Sequence, residues 1–296
     1  MNGIPRRILV PTDFSSTAEH ALEFSQCLAR VFAAEIHLVH IRILLDGQPQ
    51  NQELQQELAR IDEQSDAQMR ETLGRQAAYS EEAIHPYLVR GLSVSESLTD
   101  AALDLGCDLI VVGTHGRRGL RHLLLGSVAE DILRTASIPV ITVREKAVAD
   151  CAPGRNILVP HDFSDRSSMA LEVARTWAQA LGARLTLLHV VEPVVYPEFY
   201  AVDVMTDDVL LRIEERSLDA MKKAAAEQLG GVPYTLEVAT GRAVDGILDA
   251  ASPDRCDLVI MATRGLSGLE HVLLGSVAEG VVRRCRVPVM TVRSEE

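Results

Sequence analysis

The stretch ILVPTDFS at residues 8–15 returns as ILVPHDFS at 157–164, an offset of 149 (157 − 8). Three further pairs keep that offset: LVHI (38–41) with LLHV (187–190), CDLIVVGTHG (107–116) with CDLVIMATRG (256–265), and IPVITVR (138–144) with VPVMTVR (287–293). The period is far longer than the few tens of residues of a solenoid unit, so the chain is a duplicated domain. Its 296 residues give each copy enough length for a core of its own.

Within each copy, short β-branched runs alternate with amphipathic segments. In the first, Ile8–Val10, Ile36–Ile41, Pro86–Val89, Leu109–Val112 and Val140–Val143 read as strands. They are almost continuously apolar, as parallel strands covered on both faces must be. Residues 15–33 form a helical stretch with Ala18, Leu22, Cys27 and Leu28 toward one side; residues 54–73 are mostly polar with a narrow apolar stripe. The pattern predicts an α/β protein of two tandem Rossmann-like domains. Each is an open five-stranded parallel sheet with helices on both faces and right-handed crossovers. The expected domains are 1–147 and 153–296, joined by the polar, Pro-Gly-containing segment 145–156. The closing strand of each copy is apolar, and a bare apolar edge invites pairing. The expectation is that the two copies bury these edges against each other about a pseudo-two-fold axis; shielding of each edge by its own helices is the alternative.

Composition narrows the function. A net charge of −13 opposes nucleic-acid binding, which needs cationic surface to neutralise phosphates. No apolar run approaches the ~18 residues of a membrane span, and the start, MNGIPRRILV, lacks the apolar core of a signal peptide. Five cysteines (Cys27, Cys107, Cys151, Cys256, Cys285) are an odd number without a C-x-x-C pair. That argues against a disulfide framework or a zinc site and for a reducing compartment, with the cytoplasm as the expected location.

The most informative loop follows the strand ending at Val112. It reads Gly113-x2-Gly116-x9-Gly126-Ser127, and a helix, SVAEDILRTA, begins at its end. Open α/β sheets bind ligands at this place, outside the carboxyl ends of the strands. Gly113 and Gly116 let the backbone turn and approach a ligand closely. Free amides at the start of the helix favour an anion, by roughly 0.3–1 kcal/mol before hydrogen bonds are added. His115, Arg117, Arg118 and Arg121 crowd the same loop of an otherwise acidic chain. The competing reading is structural: Ser127-x-x-Glu130 is a capping box, and Glu130 pointing inward would repel a phosphate. Asp13, just past the first strand, adds a carboxylate at the switch point of the strand order, able to accept from an adenine amino group or a ribose hydroxyl. It is also a good residue for capping the next helix, and the two roles are compatible.

Neither G-x-x-x-x-G-K-S/T nor G-x-G-x-x-G occurs, so a P-loop and the usual dinucleotide fingerprint are unsupported. His40 and His189 end the second strands amid apolar neighbours and read as buried, hydrogen-bonded residues. No nucleophile–base pair or carboxylate pair has a persuasive spacing, so dedicated catalysis is not expected.

Taken together, ILVPTDFS/ILVPHDFS, LVHI/LLHV and the G-x2-G-x9-G-S loop followed by VAE resemble the universal stress protein family in its tandem two-domain form, over nearly the whole chain. The resemblance implies a Rossmann-like fold of the adenine nucleotide alpha hydrolase type. It also implies binding of ATP, or AMP or ADP, with Mg²⁺ as a companion, and weak or no hydrolysis. On the matching positions, Asp13 and the backbone at Ile41 would hold adenine, Gly113, His115, Gly116 and Arg117 would wrap the ribose and phosphates, and Pro11, Thr12 and Val112 would belong to the same nucleotide site. Gly126, Ser127 and Val128 would present amides and a hydroxyl to the phosphates. The counterparts are Asp162, Val190, Ala262, Arg264, Gly265, Gly275, Ser276 and Val277.

The second copy departs from the pattern at Ala262. If the glycine there needs positive φ, alanine costs on the order of 1 kcal/mol; if it needs only to be small, alanine serves. Glu270 replaces Arg121, and Ser267 and Gly268 thin the basic cluster. Tighter binding by the first copy is therefore expected. YPEFY (196–200) concentrates aromatics and suits a lid, a partner-docking patch or a satellite core under a loop. The leading expectation is a nucleotide-binding regulator of the stress response, with further homodimerisation and protein partners left open. A slow ATPase and a nucleotide-free association scaffold are the alternatives.

Overall fold

The computed structural model describes residues 3–43, 52–77, 84–114, 125–144, 155–192, 207–263 and 274–293. The chain divides into two compact units, one of residues 5–151, the other of residues 152–296 together with 1–4.

The first unit runs β1 (Arg7–Pro11), α1 (Ser16–Phe32), β2 (Glu35–Ile43), α2 (Gln52–Ala77), β3 (Ile84–Gly91), α3 (Val94–Asp104), β4 (Leu109–Gly113), α4 (Ser127–Thr135) and β5 (Val140–Val143). Its strands are all parallel, in the order β3-β2-β1-β4-β5. The central strands are sealed on both faces: Ile8, Leu9 and Val10 of β1 are fully buried, as are Ile110 and Val111 of β4. Each such side chain contributes roughly 1.5–3 kcal/mol of transfer free energy. β3 ends the order and carries Pro86 in register with Leu38, a residue that a strand paired on both sides would not accept. The predicted strands all lie within observed ones, lengthened by a residue or two at most ends.

The second unit repeats the plan as β6 (Asn156–Pro160), α5 (Asp165–Leu181), β7 (Arg184–Val191), α6 (Asp207–Gln228), β8 (Tyr234–Thr240), α7 (Ala243–Ala250), β9 (Leu258–Ala262), α8 (Ser276–Arg284) and β10 (Val289–Val292). Its parallel order is β8-β7-β6-β9-β10.

The CDL repeat has a mechanical role in both copies. The Asp108 carboxylate accepts from the amides of Arg6 and Arg7 at 2.9–3.1 Å, just ahead of β1. Asp257 does the same for Arg155 and Asn156 at 2.9 Å ahead of β6. Each aspartate thus fixes the starts of two neighbouring strands at the same level, and with them the carboxyl ends where a site can form. The cysteine before each aspartate is buried, and burial pushes the Cys107 and Cys256 thiols up to about 12, so both are inert.

Gly3 belongs to the second unit: its carbonyl accepts from Nε1 of the fully buried Trp177 at 2.6 Å. The cysteine expectation needs one correction. Cys107, Cys256 and Cys285 are free and buried, but Cys27 on α1 is disulfide-bonded. Pairing depends on approach in space, which a count and a spacing along the chain do not report. Among the described residues no helix is long and apolar enough to cross a membrane.

Candidate functional site

β1 and β4 are neighbours, with Ile8 opposite Leu109 and Leu9 opposite Ile110, so Pro11–Asp13 and Val112–Thr114 leave the sheet side by side. This is the switch point of the order, where the crossovers on either side diverge and leave a crevice.

Past β1 the chain stays on the sheet for one more residue, Thr12 donating its amide to the Val39 carbonyl at 2.9 Å. It then turns sharply. Phe14 takes a left-handed φ of 62°, which costs a non-glycine residue on the order of 1 kcal/mol. Three side chains hold the turn in sequence. Thr12 Oγ1 accepts from the Phe14 amide at 3.0 Å and Asp13 Oδ1 from the Ser15 amide at 3.0 Å; Ser15 Oγ then accepts from the Ala18 amide as the N-cap of α1. Asp13 is therefore not the helix cap, as its residue type had suggested. It forms an Asx turn one step earlier, through Oδ1, and is half-buried at the switch point.

The second unit repeats this turn. Phe163 has φ 64°, Asp162 Oδ1 accepts from the Ser164 amide at 3.1 Å and from its hydroxyl at 2.6 Å, and Ser164 caps α5 through the Ser167 amide. His161 replaces Thr12, and its Nδ1 accepts from the Phe163 amide at 3.1 Å. His40 and His189 brace the two turns from the adjacent strand. Each donates Nδ1–H at 2.8 Å to the carbonyl of the residue before the aspartate, and each ring packs on the turn phenylalanine at 4.6 and 4.5 Å between centroids.

Gly113 corrects one expectation. Its φ is not positive; a Cβ there would lie 2.7 Å from the Thr17 carbonyl oxygen and 2.8 Å from the Thr17 carbonyl carbon. The first turn of α1 crosses the glycine at backbone distance, which by itself leaves no room for a Cβ. Ala262 carries a Cβ at the matching place and is nearly buried, so the second unit accommodates what the first excludes.

Beyond β4 the chain is clipped back to the sheet. The buried Thr114 donates its amide to the Val143 carbonyl at 2.9 Å, and its own carbonyl accepts from the Gly126 amide at 2.7 Å. Thr263 makes the same two bonds, to Val292 at 3.0 Å and from Gly275 at 2.8 Å. Whatever the intervening loop does, the helix start is held beside the end of β4 or β9.

The capping box is not formed. Gly126 is the N-cap of α4 and Gly275 that of α8, and neither end has a side-chain cap. Ser127 and Ser276 are instead the first helical residues, exposed, with Val128 and Val277 half-buried after them. In the first turns, Glu130 reaches along the helix to Arg134 at 2.7 Å and Glu279 to Arg283 at 2.8 Å. Among the described residues, the glycine N-caps of α4 and α8 supply no side-chain hydrogen bond to the helix amides at the switch point.

Pro11, Thr12, Ile41 and Val112 are buried around this crevice in the first unit; in the second, Val190 is half-buried, its side chain 3.0 Å from a Cβ added at Gly246. His115, Gly116, Arg117, Arg118 and Arg121 lie outside the described residues, as do Arg264, Gly265, Ser267, Gly268, Glu270 and 196–200. Among the described residues no three His, Cys, Asp or Glu side chains are grouped to hold a metal ion. Sequence reasoning missed the strained phenylalanines and the threonine clips, because left-handed backbone and carbonyl pairing leave no residue-type signature there. It also passed over the change from Thr12 to His161, although VPTDFS and VPHDFS display it.

A parallel five-stranded sheet with a glycine-capped helix start at its switch point defines a Rossmann-like module, here present twice. The universal stress protein family model matches residues 5–144 and again 154–293, and the chain belongs to that family as a tandem two-domain member. A universal stress protein of Thermus aquaticus is 38% identical over 140 residues, 47% of this chain and 98% of its own. One from Mycobacterium bovis is 29% identical over 187 residues, 63% of this chain and 62% of its own. The crystal structure of a universal stress protein from Archaeoglobus fulgidus superposes with a TM-score of 0.64 at 23% identity, covering 98% of this chain and 97% of that one; it speaks to the fold alone.

Proposed function

We propose that the chain is a nucleotide-binding regulator that takes ATP, or ADP or AMP, at the switch point of each unit. The observation that carries this reading is the start of α4, held beside β4 by the Thr114–Gly126 bond and, among the described residues, given no side-chain cap by its N-cap glycine. Amides so placed suit phosphate oxygens, and the exposed Ser127 hydroxyl offers one more donor or a ligand for a phosphate-bound Mg²⁺. Asp13, a half-buried carboxylate placed by its turn at the end of β1, suits the base or ribose. The residues present fit the nucleotide, and what it would contribute is a polyphosphate whose occupancy reports energy state.

Acid extraction of the purified protein, followed by calorimetry with Mg²⁺-ATP, tests this. The expected outcome is an adenine nucleotide in the extract and binding that weakens about tenfold or more in Ser127→Ala, the size of one lost hydrogen bond to a charged group. Steady Mg²⁺-dependent phosphate release abolished in the same variant would establish the slow ATPase instead. An empty extract with no thermal shift in ATP would leave an association scaffold. The first unit is expected to bind more tightly, since the second has Glu270 where the first has Arg121.

A further inference from the structure

The two switch-point turns are built alike except at one atom. In both, the side chain at the first position accepts a hydrogen bond from the amide two residues on, and that bond holds a phenylalanine at positive φ. In the first unit the acceptor is the Thr12 hydroxyl, which accepts at any pH. In the second it is Nδ1 of His161, which accepts only while it carries no proton.

The tautomer follows from the partner. An amide can only donate, so Nδ1 is bare and the neutral ring carries its hydrogen on Nε2. That Nε2 is buried without a hydrogen-bond partner, and the residue is only 4% exposed. Facing the ring are the Asp162 carboxylate on the same turn, His189 on β7, and the Phe163 ring at 5.4 Å. Burial lowers the His161 pKa below the ordinary imidazole value; Asp162 opposes this and His189 adds to it.

We propose that His161 is a positioning residue that makes the ligand site of the second unit sensitive to pH, while the first unit, with Thr12, is not. When Nδ1 takes a proton from solvent, two N–H groups face each other where one hydrogen bond had been. The bond that holds Phe163 at φ 64° is lost, and non-glycine residues leave that region readily. Asp162, tied to the same turn through the Ser164 amide, moves with it, and a ligand that it grips is released. His40 and His189 do not confuse the comparison. Each donates Nδ1–H to a carbonyl, a bond that protonation keeps, and one stands at the matching place in each unit.

The movement of the turn stands on the geometry alone; release of nucleotide rests on the proposed function, and the experiment separates them. Amide resonances of the full-length protein without ligand are followed from about pH 7.5 to about pH 5, across the imidazole range. Phe163 and Ser164 should titrate together with His161, with a midpoint below the ordinary imidazole value, while Phe14 and Ser15 should not share that transition. His161→Thr should remove the transition and leave the turn in place. In an Asp13→Ala background, which reports on the second unit, ATP affinity should fall about tenfold or more over the same range, and by less than about twofold once His161→Thr is added. A His161 ring that protonates while the Phe163 amide stays unmoved overturns the proposal, as does an equal loss of affinity in His161→Thr. Amides that titrate in a protein that binds no ATP at any pH support the switch and overturn the nucleotide reading.

Discussion

At Gly113 a single hydrogen atom decides how closely a helix approaches a strand. A Cβ placed there would meet backbone atoms of Thr17, which cannot rotate away as a side chain could. Gly113→Ala is therefore expected to destabilise the first unit by about 1–3 kcal/mol, the range for an overpacked core. Ala262→Gly in the second unit should cost no more than about 1 kcal/mol, the backbone-entropy cost of glycine in a strand. Urea unfolding of the two variants checks the asymmetry, and equal losses would remove the close-crossing explanation. From the letters alone Gly113 belonged to a ligand loop, because glycine in a G-x2-G pattern suggests turning or approach. Its neighbour across the gap, Thr17, is remote in the chain, and nothing local announces it.

The helices that open at Ser127 and Ser276 show how an element can be stable yet unfinished. Each buries one face, with Ala129, Ile132 and Leu133 in α4 and Ala278, Val281 and Val282 in α8. Each places arginine in its last turn, where a cation suits the helix dipole. Among the described residues, what their glycine N-caps do not supply is a side-chain cap. Ser127→Asp should consequently raise helix stability by roughly 0.3–1 kcal/mol, since a carboxylate in the first turn complements the dipole. The same change should abolish ATP binding, because that carboxylate occupies and repels the anion site. Thermal melting and calorimetry on one protein sample read the opposite signs, and a variant that gains stability and keeps its affinity would place the phosphates elsewhere. The S-x-x-E pattern was visible in the sequence but resolved the wrong way. A capping box needs serine outside the helix, and the Thr114–Gly126 bond moves the start back by one residue.

At the scale of the whole molecule, two histidines among the described residues resist protonation in the folded state. His37 on β2 is lowered first by burial and then by His85 and Arg7, with Glu35 opposing; His161 is lowered first by burial. Among the described residues neither ring nitrogen of His37 has a hydrogen-bond partner; Nε2 lies 3.7 Å from the Glu35 carboxylate. Between its depressed folded pKa and the ordinary value of about 6.5, the unfolded chain binds more protons than the folded one, so stability rises with pH across that window. Stability should be level above about pH 6.5 and fall progressively below it. His37→Gln should flatten the slope for the first unit and His161→Thr for the second, read as melting temperature against pH. A double variant with the wild-type slope would assign the dependence to other groups.

The duplication, the parallel sheets and the place of the switch point were determined by the sequence itself. Continuous apolar runs such as Ile8–Val10 must be buried on both faces, and right-handed crossovers leave few orders for five parallel strands. Only the tertiary structure decided that Gly113 serves α1, that Cys27 is disulfide-bonded, that Gly3 caps the indole of Trp177, and which nitrogen of His161 carries hydrogen. Each depends on what approaches from far along the chain, while periodicity and residue type report only on near neighbours.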